Sequence, residues 1–295
     1  MEDGVIKKAE ILVEALPYIQ KYQGKVFVVK VGGSLLRSPE TFENVLLDIA
    51  FLHAVGLKIV IVSGGGPFIN EELEKQEKEI HFVEGLRVTN EEVLNVVVDV
   101  LEKVRNDIVQ ALQEKFHSSA HSLSPVDGIL MAKKIHWQKG AEVIDLGFVG
   151  EVSEVNVDLL YSVLEKNIAV ISSIGLSEEG TLFNINGDSV AASIACNIVA
   201  EKMIFVSNVR GVMRNPDNSD TLISTLNADQ VDLLIKDGVI QQGMIPKVRA
   251  AMECLNAGVK KVHIVGGVPH AMLLEIFTSE GVGTEILLEE RRNHE

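Results

Sequence analysis

The sequence predicts an α/β protein in which helices flank a large, mainly parallel β-sheet. Short runs of β-branched residues alternate with longer amphipathic segments, which is typical of parallel strands joined by crossover helices. Helical spacing of apolar residues is clear in "ETFENVLLDIAFLHAVG" and "NEEVLNVVVDVLEKVRNDIVQALQ". The segment "AEVIDLGFVGEV" favours a hairpin over a crossover, which allows for a mixed sheet. The predicted strands are 26–31, 58–63, 128–134, 168–174, 202–207 and 260–267.

The acidic composition limits the classes of partner. The chain has 295 residues and a formal net charge of −15, which argues against nucleic acid or an anionic membrane surface as its main partner. A small anionic ligand would therefore need a local basic site. There is no run of eighteen apolar residues, and the start "MEDGVIKKAE" lacks the apolar core of a signal peptide, so we expect a cytoplasmic protein.

The first 22 residues form a separate predicted element, a helix that precedes the first strand. Pro17 predicts a kink in this helix. The helix could pack on its own sheet, or it could be a protruding arm that covers its apolar stripe with another subunit. The stripe consists of Ile6, Leu12, Val13, Leu16 and Ile19.

A lysine stands in the first predicted strand, "VFVVKV", whose other residues are apolar. One interpretation is that Lys30 lies on an edge strand, or that its ammonium group reaches water past apolar neighbours. The other is that the strand is central and its carboxyl end opens into a cleft. Gly32 and Gly33 would then let backbone N–H groups approach an anion, and Lys30 would bind a phosphate.

Further strand ends carry glycine or charged residues. In "VSGGGPFIN" a triple glycine precedes a predicted helix, whose free N–H groups would point into the cleft. Arg87 in "EGLRVTN" is suited to binding a carboxylate with two hydrogen bonds, although an exposed structural role fits this stretch equally well. Thr89 and Asn90 are candidate caps for the next helix.

Two predicted helix starts carry more polar groups than capping requires. Asn184, Asn186 and Asp188 precede an alanine-rich helix, where one cap would suffice. Lys247 follows Gly243 at another helix start. A cation there opposes the helix dipole, so an anionic partner is expected.

Eight segments of the sequence form a recognisable series. In order, they are "AEILVEALPYIQKY", "VVKVGGS", "GGGPFIN", "GLRVT", "DLGFVGEV", "FNINGDSVA", "GMIPKV" and "VHIVGGVPHAMLLEIFTSEGVGTEI". With these segments the sequence resembles the acetylglutamate kinases of the amino acid kinase family. The resemblance implies the amino acid kinase-like fold, a three-layer αβα sandwich with a mainly parallel central sheet and two lobes. Residues 1–22 would be the arm, 23–199 the N-lobe for the amino-acid substrate, and 200–295 the C-lobe for the nucleotide and arginine.

The activity that the resemblance implies is phosphorylation of the side-chain carboxylate of N-acetyl-L-glutamate by ATP, on the route to arginine. This carboxylate is ionised at neutral pH, so the reaction needs cations and positioning rather than a general base. Mg²⁺ would arrive with ATP, without a dedicated protein metal site. The implied catalytic residues are Lys30, Asp188 and Lys247. The implied substrate residues are Gly65, Gly66, Arg87 and Asn184, and the implied nucleotide residues are Gly32, Gly33, Asn208, Gly211 and Gly243.

The N-terminal arm and the C-terminal segment resemble those of the arginine-inhibited subgroup. In that subgroup the arms interlace dimers into a hexamer, which favours the interpretation of residues 1–22 as an intersubunit arm and of the protein as a homo-oligomer. L-Arginine would act as inhibitor, and Glu275, Gly281 and Gly283 in "EIFTSEGVGTEI" are the candidates for binding it. The alternative for the two glycines is that they only shape a turn.

Five sites depart from the family pattern. Ser63 stands where the family usually has a histidine. Residues 124–128 read "SPVDG", with Pro125 and Val126, where "SGKDG" is usual, and residues 172–175 read "SSIG" where "APIG" is usual. Asn208 stands in place of an aspartate, and Gln242 in place of a glycine. These departures leave open another acylated amino acid or carboxylate as substrate, or a non-catalytic protein that binds arginine or a partner protein. The retained lysines, Arg87, Asn184 and Asp188 favour a working kinase.

Overall fold

The computed structural model describes residues 2–139, 142–215, 218–241, 243–266, 268–279 and 281–288, and the side chains of all of these except 2–9, 138, 139, 142 and 143. Gln242 lies outside these residues. The helices are α1 (Glu2–Tyr22), α2 (Pro39–Ala54), α3 (Gly66–Lys75), α4 (Glu91–Glu114), α5 (Val157–Leu164), α6 (Gly187–Asn197), α7 (Ala228–Lys236), α8 (Met244–Asn256) and α9 (Ala271–Phe277). Among the described residues, none of the helices is both long enough and apolar enough for a membrane span.

Most strands are short, as the alternating sequence pattern predicts. They are β1 (Val26–Val31), β2 (Lys58–Ser63), β3 (Phe82–Val83), β4 (Leu86–Arg87), β5 (Ala120–Leu123), β6 (Leu130–Lys134), β7 (Trp137–Lys139), β8 (Glu142–Ile144), β9 (Gly150–Val155), β10 (Ile168–Ser172), β11 (Ile174–Leu176), β12 (Leu182–Asn184), β13 (Lys202–Ser207), β14 (Thr225–Asn227), β15 (Lys261–Gly266) and β16 (Thr284–Leu287).

The main sheet has eight strands in the order β14-β16-β15-β13-β1-β2-β10-β5. All neighbours are parallel except β15 and β16. Strand β1 lies between β13 and β2, and Lys30 is in register with Phe205 on one side and Val62 on the other. The edge-strand interpretation of Lys30 is therefore wrong, because the strand is central.

A second sheet accounts for the differences between the predicted and observed strands. It has the order β12-β11-β6-β9, and it contains the predicted strand 128–134 as β6. The predicted strand 168–174 divides at Ser173, so that β10 stays in the main sheet and β11 joins the second. The antiparallel pairs β7–β8 and β6–β9 confirm that the region around 141–152 departs from the crossover pattern.

Helices cover both faces of the main sheet, which confirms the three-layer αβα sandwich. One apolar cluster joins Val28 and Phe205 to residues of α5, α6, α7 and α8. A second cluster joins Phe27 and Ile204 to residues of α2, α4 and α9 and to the end of α1. Side chains alternate between the two faces of a strand, so Lys30 shares the face of Val28 and points toward the layer of α6 and α8.

Helix α1 continues through Pro17 and has two kinds of surface. Near its end, Tyr22 is buried, and Tyr18 and Ile19 pack against the second apolar cluster. The side chain of Ile6 is outside the described set. Four apolar side chains are at least half exposed, namely Ile11, Leu12, Val13 and Leu16.

Candidate active site

A cleft of about 600 Å³ opens at the carboxyl ends of β1, β2 and β13, where the first turns of α3, α6 and α8 also lie. Ends of parallel strands and helix N-termini commonly form anion sites because free backbone N–H groups converge there. Most of the predicted substrate, nucleotide and catalytic residues line it: Lys30, Gly32, Gly33, Gly65, Gly66, Arg87, Asn184, Asn208, Gly243 and Lys247.

Two lysines bind one carboxylate in this cleft, and Lys30, Asp188 and Lys247 are called here the cleft trio. Lys30 Nζ lies 2.7 Å from Asp188 Oδ1, and Lys247 Nζ lies 2.6 Å from Asp188 Oδ2. The side chains are 12%, 9% and 19% exposed for Lys30, Asp188 and Lys247. Two ammonium groups on one carboxylate leave an excess positive charge next to the cleft.

Each member of the trio lies on a different element, and the local sequence determines its place there. Lys30 projects from β1 toward the helical layer of α6 and α8. Asp188 lies in the first turn of α6, whose cap is Asn186, because Asn186 Oδ1 accepts hydrogen bonds from the N–H groups of Asp188 and Ser189. Lys247 lies in the first turn of α8. Asp188 provides the anionic partner that a lysine at a helix start requires.

Burial and mutual attraction act in opposite directions on these groups. Burial lowers the pKa of Lys30, while the nearby Asp188 carboxylate opposes this change and Lys247 adds to it. Burial alone would raise the pKa of Asp188, but the two ammonium groups outweigh it and hold that pKa below its usual value. Asp188 is thus a carboxylate that keeps both lysines in position.

The two glycine turns of the cleft pack directly on each other. A Cβ atom on Gly33 would lie 3.0 Å from the carbonyl oxygen of Gly64 and 3.1 Å from Cα of Gly65. A Cβ on Gly65 would lie 2.6 Å from Leu101 Cδ2. Glycine is therefore required for the close approach of the two turns. The N–H groups in the first turn of α3, which begins here, have no intrahelical partners at the cleft.

Arg87 also lines the cleft and is 7% exposed, so the exposed structural role is wrong. Its Nη2 donates to Asn70 Oδ1 at 2.5 Å, and the Phe82 ring lies 4.7 Å from the guanidinium carbon. Its Nη1 is buried and has no hydrogen-bond partner among the described residues. A buried donor without a partner is costly, so this atom is suited to an anionic ligand.

Asn184 is held by Thr89, which the sequence predicts as a candidate helix cap. Asn184 Nδ2 donates to Thr89 Oγ1 at 3.2 Å, and Thr89 Oγ1 donates to the carbonyl oxygen of Arg87 at 2.7 Å. Thr89 is fully buried, and Asn90 alone caps α4. In the sequence, Thr89 and Asn70 are marked only by their positions within the motifs "GLRVT" and "GGGPFIN". Their spacing does not show which side chains they contact.

Gly211 lies apart from the lining of the cleft. A Cβ on Gly211 would lie 2.4 Å from Thr284 Oγ1, and Thr284 Oγ1 accepts a hydrogen bond from the N–H of Val212. This glycine allows the turn after β13 to pack against β16. Its predicted contact with a nucleotide stays a prediction.

A second buried cluster of charged groups lies at the amino ends of β13 and β15, on the opposite face of the sheet from Lys30. It consists of Lys202, His263 and Glu275, called here the amino-end cluster. His263 Nδ1 lies 2.8 Å from Glu275 Oε1, and its Nε2 lies 2.9 Å from Lys202 Nζ. Burial lowers the pKa of Lys202 to about 8, and burial followed by the Lys202 charge lowers the pKa of His263.

The three candidate arginine residues meet at this cluster. Glu275 Oε2 accepts hydrogen bonds from the N–H groups of Val282 and Gly283, both at 2.9 Å. A Cβ on Gly281 would lie 2.6 Å from the same oxygen. Tyr22 at the end of α1 also reaches the cluster, since Lys202 Nζ lies 5.1 Å from its ring centroid. The sequence pattern did not point to Lys202, His263 or Tyr22.

The sites that depart from the family pattern are spread over three environments. Asn208 lines the cleft, where Ser207 Oγ donates to its Oδ1 at 3.3 Å. Ser63 is buried at the end of β2 and donates to the carbonyl oxygen of Ile171. Val126 is 72% exposed on the turn that follows Pro125. Within the described ranges, no group of three or more His, Cys, Asp or Glu side chains forms a possible metal site.

Comparison with known proteins gives concordant results. The profile of the Amino acid kinase family matches residues 25–266. The acetylglutamate kinase of Methanocaldococcus jannaschii is 47% identical over 291 residues, covering 96% of this chain and 97% of that protein. The acetylglutamate kinase of Aquifex aeolicus is 45% identical, covering 97% of this chain and 99% of that protein.

Among solved structures, N-acetylglutamate synthase from Neisseria gonorrhoeae complexed with coenzyme A and N-acetyl-glutamate is similar at a TM-score of 0.85 and 28% identity. The match covers 96% of this chain but only 64% of the synthase chain. The same synthase is known complexed with coenzyme A and L-arginine, also at a TM-score of 0.85. Carbamate kinase from Giardia lamblia, at 17% identity and a TM-score of 0.64, shares the fold.

Proposed function

Because the chain belongs to the amino acid kinase family and, within it, to the acetylglutamate kinases, we propose that it transfers the γ-phosphoryl group of ATP to the side-chain carboxylate of N-acetyl-L-glutamate. The products are ADP and an acyl phosphate, which serves arginine biosynthesis. The observation that carries this proposal is the cleft trio, in which two lysines bind one carboxylate beside the cleft.

The trio suits this chemistry because phosphoryl transfer depends on positioning and on cations around the transferred group. The attacking carboxylate and the terminal phosphate are both anionic, so their approach needs charge compensation. Lys30 would stabilise the transferred group from the acceptor side, and Lys247 would do so from the nucleotide side. Asp188 orients both ammonium groups, and one carboxylate cannot neutralise two of them.

Backbone groups would complete the contacts to the phosphoryl oxygens. Gly33 and Gly65 can offer N–H groups, because the absence of a Cβ at each position lets the two turns pack together at the cleft. Gly66 begins α3, whose first turn adds a favourable dipole. Residues 207–209, together with Gly243, Met244 and Lys247, line the part of the cleft that we assign to ATP.

Mg²⁺ is expected to bind together with ATP and to reduce the charge of its phosphates. The carboxylate of Asp188 already contacts two lysines. Phosphate oxygens and water would therefore supply most of the ligands of the ion, as is usual for Mg²⁺ with nucleotides.

The substrate would lie between the trio and Arg87. Nη1 of Arg87 would bind its α-carboxylate, and Asn184 would contact its acetamido end. This leaves the side-chain carboxylate facing Lys30. Closure of the two lobes over both substrates is the expected conformational step.

Feedback inhibition by L-arginine at the amino-end cluster is a further part of the proposal. It is supported by the buried carboxylate of Glu275, a suitable acceptor for a guanidinium group, and by Gly281 and Gly283, which pack against it. Tyr22 links this cluster to α1.

The exposed apolar stripe of α1 supports a homo-oligomer in which two arms cover each other. Ile11, Leu12, Val13 and Leu16 are 50–70% exposed, an unusual amount of apolar surface for one helix. Leu12→Glu is expected to reduce the mass found by sedimentation equilibrium, whereas Leu47→Glu, on the exposed part of α2, is expected to leave it unchanged. An unchanged mass for Leu12→Glu would contradict an interface through this stripe.

The function is tested by measuring ADP release with MgATP and N-acetyl-L-glutamate, with and without L-arginine. Turnover that requires N-acetyl-L-glutamate and is lost in Lys30→Ala supports the kinase. A fall in rate with arginine supports inhibition. Absence of turnover by the folded protein, with ATP binding verified, would overturn the proposed activity.

A further inference from the structure

The guanidinium of Arg87 is held by two neighbours that leave its Nη1 atom without a partner. Asn70 in α3 accepts from Nη2 at 2.5 Å, and the Phe82 ring covers the group at 4.7 Å from its carbon atom. Nη1 is buried and without a partner in the described structure, although Arg87 as a whole is 7% exposed. The guanidinium plane is therefore fixed before any ligand binds, and one donor of a residue that lines the cleft stays unpaired.

The chemical type of residue 70 matters because its partner is a cation. A carboxylate at this position would form a salt bridge with the guanidinium and compete with an anionic ligand for both its charge and its fork of donors. The carboxamide of Asn70 accepts one hydrogen bond and carries no charge. It orients Arg87 and leaves the full positive charge for the ligand.

We infer that Asn70 is a positioning residue that selects acceptors with a second carboxylate, by holding the Arg87 guanidinium with a neutral acceptor so that Nη1 faces the substrate. The inference rests on the proposed function, in which Arg87 binds the α-carboxylate of the acceptor. Asn70 does not contact the reacting atoms. Its effect on the reaction passes through Arg87.

The test compares two acceptors that differ in the group Arg87 is proposed to bind. N-Acetyl-L-glutamate has the α-carboxylate, whereas 4-acetamidobutyrate keeps the acetamide and the reacting carboxylate but lacks it. KM and kcat are measured for N-acetyl-L-glutamate. For 4-acetamidobutyrate the same constants are measured, or a competitive Ki where turnover is too slow.

Asn70→Asp is almost isosteric and introduces the competing charge. It is expected to raise KM for N-acetyl-L-glutamate by about 10- to 100-fold, with a smaller change in kcat, and to change the constant for 4-acetamidobutyrate by less than about threefold. Asn95→Asp, at an exposed position of α4, adds the same charge and is expected to leave both constants unchanged. Asn70→Ala, which removes the acceptor without adding charge, is expected to raise KM for N-acetyl-L-glutamate by about 3- to 10-fold.

Three outcomes separate the inference from the function on which it rests. If the unchanged protein does not phosphorylate N-acetyl-L-glutamate, the proposed function fails. If it does, but both Asn70 variants keep the wild-type preference for N-acetyl-L-glutamate over 4-acetamidobutyrate, the inference alone is overturned. If Asn70→Asp does not fold, judged by its thermal melt, the preference measured for Asn70→Ala decides.

Discussion

The cleft trio and the amino-end cluster are both buried groups of charged side chains on the same sheet, yet they differ in charge balance. The trio has two ammonium groups for one carboxylate and borders an open cleft. In the amino-end cluster, one imidazole contacts both an ammonium group and a carboxylate, and two backbone N–H groups complete the contacts of the carboxylate. The clusters lie at opposite ends and on opposite faces of the sheet.

This difference indicates how each region depends on a ligand. A buried charge is costly unless it is compensated, so the excess cation of the trio favours an anion in the cleft. The amino-end cluster is compensated internally, so it can persist without a ligand. The comparison predicts that changes in the trio alter the chemical step, whereas changes in the amino-end cluster alter regulation.

The largest effect is expected for the removal of a lysine from the cleft trio. Removal of the lysine of the amino-end cluster serves as the comparison. Lys30→Ala should lower kcat by about 10³-fold or more, because a cation on the transferred phosphoryl group is lost. Lys202→Met, which also removes a buried ammonium group, should change kcat without arginine by less than about threefold. Steady-state ADP release measures both, with circular dichroism as a control for folding. Equal losses in the two variants would contradict the proposed division of roles.

The next largest effect concerns the carboxylate between the two lysines. Asp188→Asn should lower kcat by about 10²-fold, because the lysines lose the group that orients them. The charge of Asp188 raises the pKa of Lys30, so its loss lowers that pKa further. If the protonated Lys30 is required, the alkaline limb of the pH–rate profile should move to lower pH in the variant. A limb that stays in place or moves to higher pH would be inconsistent with this role.

A smaller effect is expected for the amino-end cluster, and it should appear only with arginine. Glu275→Gln keeps the shape of the side chain but removes the charge that would pair with a guanidinium. The arginine concentration for half-inhibition should rise by about 10- to 100-fold, while kcat without arginine stays within about twofold. Inhibition curves for both proteins measure this. Unaltered inhibition would place the arginine site elsewhere.

The smallest effect is expected at the acceptor end of the cleft, where Thr89 holds Asn184. Thr89→Val removes the hydroxyl at nearly constant volume and should raise KM for N-acetyl-L-glutamate by about 3- to 10-fold, with little change in KM for ATP. Thr89→Ser restores the hydroxyl and should recover most of the loss. If serine and valine behave alike, the hydroxyl does not position Asn184.

The elements of the cleft that the sequence could predict are those whose signal is local. These are Lys30 in an apolar strand, the glycine turns, and Lys247 at a helix start. Each is unusual for its immediate surroundings, so a bound ligand is the simplest explanation.

Strand β5 is an element that the sequence does not predict. It is short and reads "AHSL", which carries no periodic pattern. Its place in the sheet depends on pairing with β10, which the chain reaches only at residue 168.

The remaining contacts depend on chain segments that are distant in sequence. Lys202 and His263 are partners because β13 and β15 are neighbours, and no spacing rule links residues so far apart. The resemblance implies that Gly211 contacts the nucleotide, which stays a prediction, but nothing local in the sequence shows that this glycine packs on Thr284 of β16. Tertiary pairing decides such contacts, and only the family resemblance could anticipate part of them.

The central position of β1 has a consequence for how the chain is made. This strand, at residues 26–31, leaves the ribosome early, yet one of its two partners is β13 at residues 202–207. At translation rates of about 5–20 residues per second, the edge of β1 that pairs with β13 would wait roughly 10 to 35 seconds for its partner. During that interval an apolar strand edge is open to wrong pairing, so we expect synthesis of this protein to depend on chaperones more than its final stability would suggest.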